Sequence, residues 1–214
     1  MKKISETKNN FNIAISKGKA FMKKSLDTFH DFHHARDVEQ LALKIFKDQQ
    51  QKELTSDLVS MAAYWHDVYK ASRRFRLDNV DGKASKLMTK KNLRSILPKK
   101  DLKKVLGAVA NHDQVIKYTL FPKSFPPLSK ILIEADMLDM FNINRWKRGV
   151  NFQNMSYIQK FLFSFFEIVA MSLVLPKAFT FTKSREIYKK RSKEFWKFFL
   201  LKEKYFFKVI GNKV

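Results

Sequence analysis

A chain of 214 residues, 45% of them hydrophobic, has enough apolar material for one domain with a core of its own. Lysine and arginine outnumber aspartate and glutamate by 43 to 20, and the resulting net charge of +23 points either to polyanionic partners such as nucleotides, nucleic acid or anionic lipid, or to a lysine-rich solvated surface and nothing more. The absence of cysteine excludes disulfides, thiolate metal sites and cysteine nucleophiles, leaving histidine, aspartate and glutamate as the metal ligands.

Only five glycines and five prolines interrupt the chain, so the expected class is all-α, a single-domain helical bundle over residues 1–214. The opening stretch MKKISETKNNFNIAIS is basic but has no continuous apolar run and no small-residue cleavage site; it is not read as a secretory signal, and a cytoplasmic protein is expected. In FHHARDVEQLALKIF, apolar side chains recur at Val38, Leu41, Ala42, Ile45 and Phe46, the spacing of an amphipathic helix, and His34 falls one turn before Val38 on the same inward stripe. LTSDLVSMAAYWHDVYK repeats the pattern with Leu58, Met61, Ala62 and Trp65 inward, Thr55 or Ser56 placed to cap its start, and His66 and Asp67 at its C-terminal end. The polar stretch ASRRFRLDNVDGK breaks the periodicity and reads as a loop.

Helices resume in ASKLMTKKNLRSIL, stop before Pro98 and restart in KDLKKVLGAVANHD, with His112 near the end. After the turn FPKSFPP, LSKILIEADMLDMF sends Ile131, Leu132, Ala135, Leu138 and Met140 to the core and sets Asp136 and Asp139 three apart, on neighbouring surface. Two further helices are expected over 154–175 and 183–209. Residues 161–175, FLFSFFEIVAMSLVL, carry a single charge at Glu167; they fall short of the roughly 20 residues that cross a bilayer, so a buried core helix is expected and stable membrane insertion is not.

Taken singly, His34 can be a core histidine and His66–Asp67 a solvent-facing helix end. Asp136 within an apolar helix is harder to account for, because an ionised carboxylate is rarely buried without a partner or a metal. Together, three apolar helices deliver His, His-Asp and Asp in that order, and His34 and Asp136 converging on the central pair would complete a set of two nitrogens and two oxygens.

The pieces HARDV, AAYWHDVYK, AVANHD and EADMLDMF, as a spaced set, resemble the HD-domain superfamily of metal-dependent phosphohydrolases. Members of that superfamily carry an H-x-x-R-V helix, an apolar run ending in H-D-I-G-K, a later helix ending in His, and an A-D-x-L-D segment. SREIYKKRSKEFWKFFLLKE is similar to the last helix of a small bacterial subgroup. The resemblance implies an HD core over about residues 29–142 with the C-terminal helices, about 154–209, packed on it. It also implies one divalent ion held by His34, His66, Asp67 and Asp136. The chain departs from the pattern at Asp37, with Arg36 one position early; at Tyr69, where the family has Gly; and in the 81–84 region, where Gly82 and Lys83 stand in place of a further histidine. The missing histidine favours a single ion over a two-metal centre.

A His₂Asp₂ set suits Mn²⁺, Fe²⁺, Co²⁺, Ni²⁺ or Zn²⁺, with Mg²⁺ also left open, and does not distinguish them. Its two carboxylates offset the ion's charge, so attraction for a phosphate ester falls to Lys70, Arg73 and Arg74, unless these form only a solvated basic loop. The expected reaction is hydrolysis of a nucleotide or related phosphate ester, at a phosphomonoester, phosphodiester or pyrophosphate bond, by a water whose pKa the metal lowers. His112 is read as orienting the phosphate or protonating the leaving oxygen, with Lys70 and Asp67 also catalytic. Asp113 and Asp139 are read as partners of a ligand imidazole or of the attacking water, Asp139 also as a substrate contact, and His30 and His33 as exposed or capping. The alternative is a basic nucleic-acid-binding module with a structural or vestigial metal site, distinguished by binding that weakens steeply with salt. Assembly into an oligomer is left open.

Overall fold

The described residues fold into helices and turns alone. The structure, a computed structural model, describes residues 2–49, 51, 53–73, 81–152, 173 and 175–211. In chain order the helices are α1 (Lys2–Lys23), α2 (Phe32–Gln49), α3 (Ser56–Trp65), α4 (Val68–Ala71), α5 (Asp81–Leu93), α6 (Lys99–Asn111), α7 (Val115–Leu120), a 3₁₀ turn (Pro122–Ser124), α8 (Pro127–Asp139), α9 (Ile143–Phe152), α10 (Leu175–Ala178) and α11 (Thr182–Gly211). They form one helical domain.

α3 is buried all round from Leu58 to Trp65, with Ser60 the one small polar residue in a largely apolar stretch, and it packs against α1, α2, α6 and α8. Its start is capped by Thr55, whose side chain accepts from the Leu58 N–H. α2 opens on Asp31, whose Oδ1 accepts from the His34 N–H at 2.8 Å, and it buries His34, Ala35, Val38, Leu41, Ala42 and Ile45 against α3 and α8. The segment covered by α1 carries no element in the sequence reading. Its buried residues Phe11, Ala14, Gly18 and Met22 lie on α3's flank. A Cβ at Gly18 would meet Trp65 Nε1 at 2.8 Å, and that indole donates to the Ala14 carbonyl at 3.0 Å, so the two helices touch through glycine at this point.

The stretch read as a loop ends earlier than expected, because α5 begins at Asp81. A Cβ at Gly82 would lie 2.8 Å from Asp113 Oδ1 and 2.9 Å from the Ala110 carbonyl, so glycine lets the start of α5 rest on the end of α6. α8 begins with Pro127 in its first turn and buries nearly every side chain from Leu128 to Asp139. Within it the fully buried Glu134 carboxylate accepts from Tyr118 Oη at 2.5 Å, the Thr180 N–H at 2.7 Å and Thr180 Oγ1 at 2.6 Å, which ties α7 and the chain entering α11 to α8. α11 lies across α8 and α2. The expected helix over 154–175, and with it nearly all of 161–175, lies outside the described residues. Among the described residues no helix is long and apolar enough to cross a membrane.

Candidate metal centre

The ends of α3 and α6 are built alike. His66 and His112 are the residues that close these helices, and each turns its Nδ1 back onto the carbonyl three residues earlier, Ala63 and Val109, at 2.7 Å. A carbonyl can only accept, so Nδ1 carries the proton in both rings and Nε2 faces away from the helix. On α2, His34 is fixed in the same sense: its Nδ1 lies 2.8 Å from Asp139 Oδ2 on α8.

These constraints direct His34 Nε2 and His66 Nε2 at one another, 3.1 Å apart. Asp67 Oδ2 lies 3.3 Å from the first and 3.1 Å from the second, and Asp136 Oδ1 lies 3.4 and 3.9 Å from them. All four residues expected to hold a metal therefore meet at one point. Bonds of about 2.1 Å at tetrahedral or octahedral angles separate ligand atoms by about 3.0–3.4 Å, and four of these separations lie within about 0.1 Å of that range. His34, His66 and Asp67 are buried and form a group able to hold a metal ion. Asp136 Oδ1 is also buried and accepts no hydrogen bond among the described residues. Lone pairs of two imidazoles and two carboxylates pointing at one another repel unless a cation lies between them, so the donor set fits a divalent ion.

The surrounding charges hold the two carboxylates of the cluster in their ionised form. Burial would raise the Asp67 pKa, but Lys70, His66 and His30 and the His112 hydrogen bond hold it well below the usual carboxylate range. Asp136 is likewise lowered against its burial by His66, His34 and Arg145. Burial and Arg145 favour a neutral His34, while hydrogen bonds to Asp139 and Asp67 and the charge of Asp136 outweigh them and raise its pKa.

His112 Nε2 lies 3.0 Å from Asp67 Oδ1, so both its ring nitrogens face oxygen acceptors. Desolvation opposes the charged ring, but Asp67 raises its pKa. Lys70 Nζ stands 3.5 Å from Asp67 Oδ1 and 3.4 Å from Asp81 Oδ2, with 24% of its side chain exposed. Its pKa is raised against desolvation by Asp67 and Asp81.

Other expected residues lie elsewhere. Arg73 lies over the Tyr69 ring, 4.8 Å from its centroid, and donates to the Tyr69 hydroxyl. Arg74 lies outside the described residues. Asp139 is fully buried, with Oδ2 on His34 and Oδ1 accepting from Asn142 Nδ2 at 2.9 Å; it stands behind the His34 imidazole, and its burial leaves it no surface for a substrate contact. Asp113 does not join the cluster: its Oδ2 accepts from the Gly82 N–H at 3.0 Å and caps α5. Asp37 Oδ2 accepts from Asn142 Nδ2 at 2.8 Å. His33 is exposed, as expected.

His30 corrects the reading. Only 13% of its side chain is exposed; Nδ1 is 2.8 Å from Asp27 Oδ2, Nε2 is 3.8 Å from Asp67 Oδ2, and burial pushes its pKa down to about 4. Arg145 on α9 was also missed. Its NH1 stands 3.8 Å from Asp136 Oδ1 and 3.6 Å from Asp139 Oδ2, and its Nε donates to the Phe29 carbonyl at 3.1 Å. The Asp27–His30 spacing was a weak signal for the first; nothing in the sequence marks Arg145 among the other basic residues.

No protein-family model matches the sequence, and no curated protein matches it significantly. Among solved structures, the crystal structure of Bacillus subtilis YpgQ in complex with ADP matches with a TM-score of 0.63 and 15% identity, over 93% of this chain and 96% of that one. The two proteins share a fold along nearly their whole lengths.

Proposed function

We propose that this chain is a metal-dependent phosphohydrolase of the HD-domain type, acting on a nucleotide or related phosphate ester by attack of water. The observation that carries the reading is the convergence of His34 Nε2, His66 Nε2, Asp67 Oδ2 and Asp136 Oδ1, drawn from α2, the α3–α4 junction and α8. The shared fold with YpgQ, crystallised with ADP, supports a nucleotide as the substrate class.

A divalent ion held by His34, His66, Asp67 and Asp136 would supply Lewis acidity there, lowering the pKa of a water and polarising a phosphoryl oxygen. The remaining roles fall to the chain itself. Asp136 keeps 22% of its side chain exposed, so the cluster opens to solvent on its side. Lys70, charged and partly exposed beside Asp67, binds phosphate oxygens, and Arg145 adds positive charge near Asp136. His112, buried and held by the Val109 carbonyl, keeps Asp67 Oδ1 occupied so that Oδ2 faces the other ligands; with both ring nitrogens engaged it acts as a positioning residue rather than as the acid read from the sequence.

The test is metal analysis of the purified protein, followed by a panel of nucleotides and other phosphate esters with Mn²⁺, Co²⁺ or Ni²⁺. One ion per chain and turnover are expected, and both should disappear in His66→Ala and Asp67→Ala while circular dichroism still reports helix. Stoichiometric metal with no turnover on any ester would remove the hydrolytic reading; failure to bind metal would remove the site.

A further inference from the structure

Asp27 and His30 stand in the turn that leads into α2, and the roles assigned above leave both unused. The turn is a built one. Ser25 Oγ lies 2.8 Å from the Asp27 carbonyl oxygen and 3.0 Å from that of His30, and it accepts from the Asp27 N–H at 3.1 Å. Asp27, itself 3% exposed, accepts from the Phe29 N–H through Oδ1 at 2.8 Å and from His30 Nδ1 through Oδ2 at 2.8 Å. A carboxylate on Nδ1 places the ring's proton there, so Nε2 presents a lone pair.

That lone pair is turned toward the ligand cluster. His30 Nε2 is 3.8 Å from Asp67 Oδ2, and the ring stands edge-on to His34, 5.7 Å between centroids. Among the described residues no hydrogen-bond partner meets Nε2. Two acceptors facing each other at this separation call for a donor between them, and a water with one hydrogen toward each satisfies both. The arrangement repeats the logic by which a carboxylate fixes the tautomer and direction of an imidazole that meets the nucleophile.

We propose that His30 is a further catalytic residue, its Nε2 accepting a hydrogen bond from the water that attacks phosphorus, with Asp27 as the positioning residue that fixes its tautomer. The proposal rests on the hydrolytic reading. His30 then orients a lone pair of that water toward the phosphate, while Lys70 and Arg145 act on the phosphate from the other groups of the site.

The test uses the full chain with Mn²⁺ as the metal probe and the ester that the wild type hydrolyses fastest in the panel. Loss of orientation should cost His30→Ala about 100-fold in kcat with KM little changed. Mn²⁺ affinity, measured by titration without substrate, should stay at the wild-type value. His30→Gln, whose amide oxygen can replace the acceptor, should recover part of the loss. In nitrogen-15 spectra of the metal-free protein, His30 should show a proton on Nδ1 and none on Nε2, a single tautomer that Asp27→Asn abolishes. Wild-type kcat in His30→Ala, loss of Mn²⁺ binding in that variant, or a proton found on Nε2 would each overturn the role of His30 alone. A metal-loaded wild type that hydrolyses nothing overturns the hydrolytic reading and this role with it.

Discussion

Asp139 does not enter the candidate ligand cluster, yet it sets the state of His34 through the far nitrogen of that ring, 2.8 Å away. Its pKa falls to about 2 in spite of burial, because His34 donates to it and Arg145 stands 3.6 Å off. An ionised carboxylate in that position makes the imidazole a stronger donor to a metal and holds its plane. Asp139→Asn keeps the shape and removes the charge, and metal affinity should fall about 10- to 100-fold with helix content unchanged. Competition with a chromophoric chelator measures this; unchanged affinity would mean that Asp139 serves packing alone.

At the scale of helices, the position of His66 and Asp67 depends on where α3 lies, and α3 lies where α1 permits. Gly18 is the contact that permits it, since any Cβ there would press on Trp65 Nε1 at 2.8 Å and on Tyr64 Cβ at 2.9 Å. Gly18→Ala should therefore destabilise the fold by about 1–3 kcal/mol, the cost of overpacking between two helices with no room to relax. Gly107, in the middle of α6, has nothing within 4 Å of the position its Cβ would take. Gly107→Ala should instead stabilise by about 0.5–1 kcal/mol through helix propensity. Urea unfolding of the two variants, identical in chemistry and opposite in expected sign, separates the close approach from any general effect of added methyl groups.

For the molecule as a whole, the candidate centre joins α2, the α3–α4 junction and α8, segments more than a hundred residues apart at their extremes. An ion bound there cross-links the bundle and stabilises it by mass action, about 2.7 kcal/mol at a free concentration 100 times Kd. The thermal midpoint should rise with added Mn²⁺ and fall with EDTA in the wild type, and His66→Ala should respond to neither. Circular dichroism melts provide the check, and a wild-type midpoint indifferent to both would argue against an ion in the native fold.

Much of this was legible in the chain before any coordinates. Apolar spacing in α2, α3 and α8 already turned His34, Trp65 and Leu138 inward, because the 3.6-residue repeat makes the buried face of a helix a local property. The same spacing set His66, Asp67 and Asp136 beside those faces. Its reach ended where a residue's setting depends on what is packed over it. His30 looks like an exposed turn residue until the fold brings Asp67 within 3.8 Å of it; Arg145 is one cation among many until α9 brings it near Asp136; Asp113 caps α5 because Gly82 lets that helix approach. Helix faces follow from neighbours in the chain, whereas the few ångströms between imidazole and carboxylate depend on how helices cross, and that is settled by packing among residues far apart in sequence.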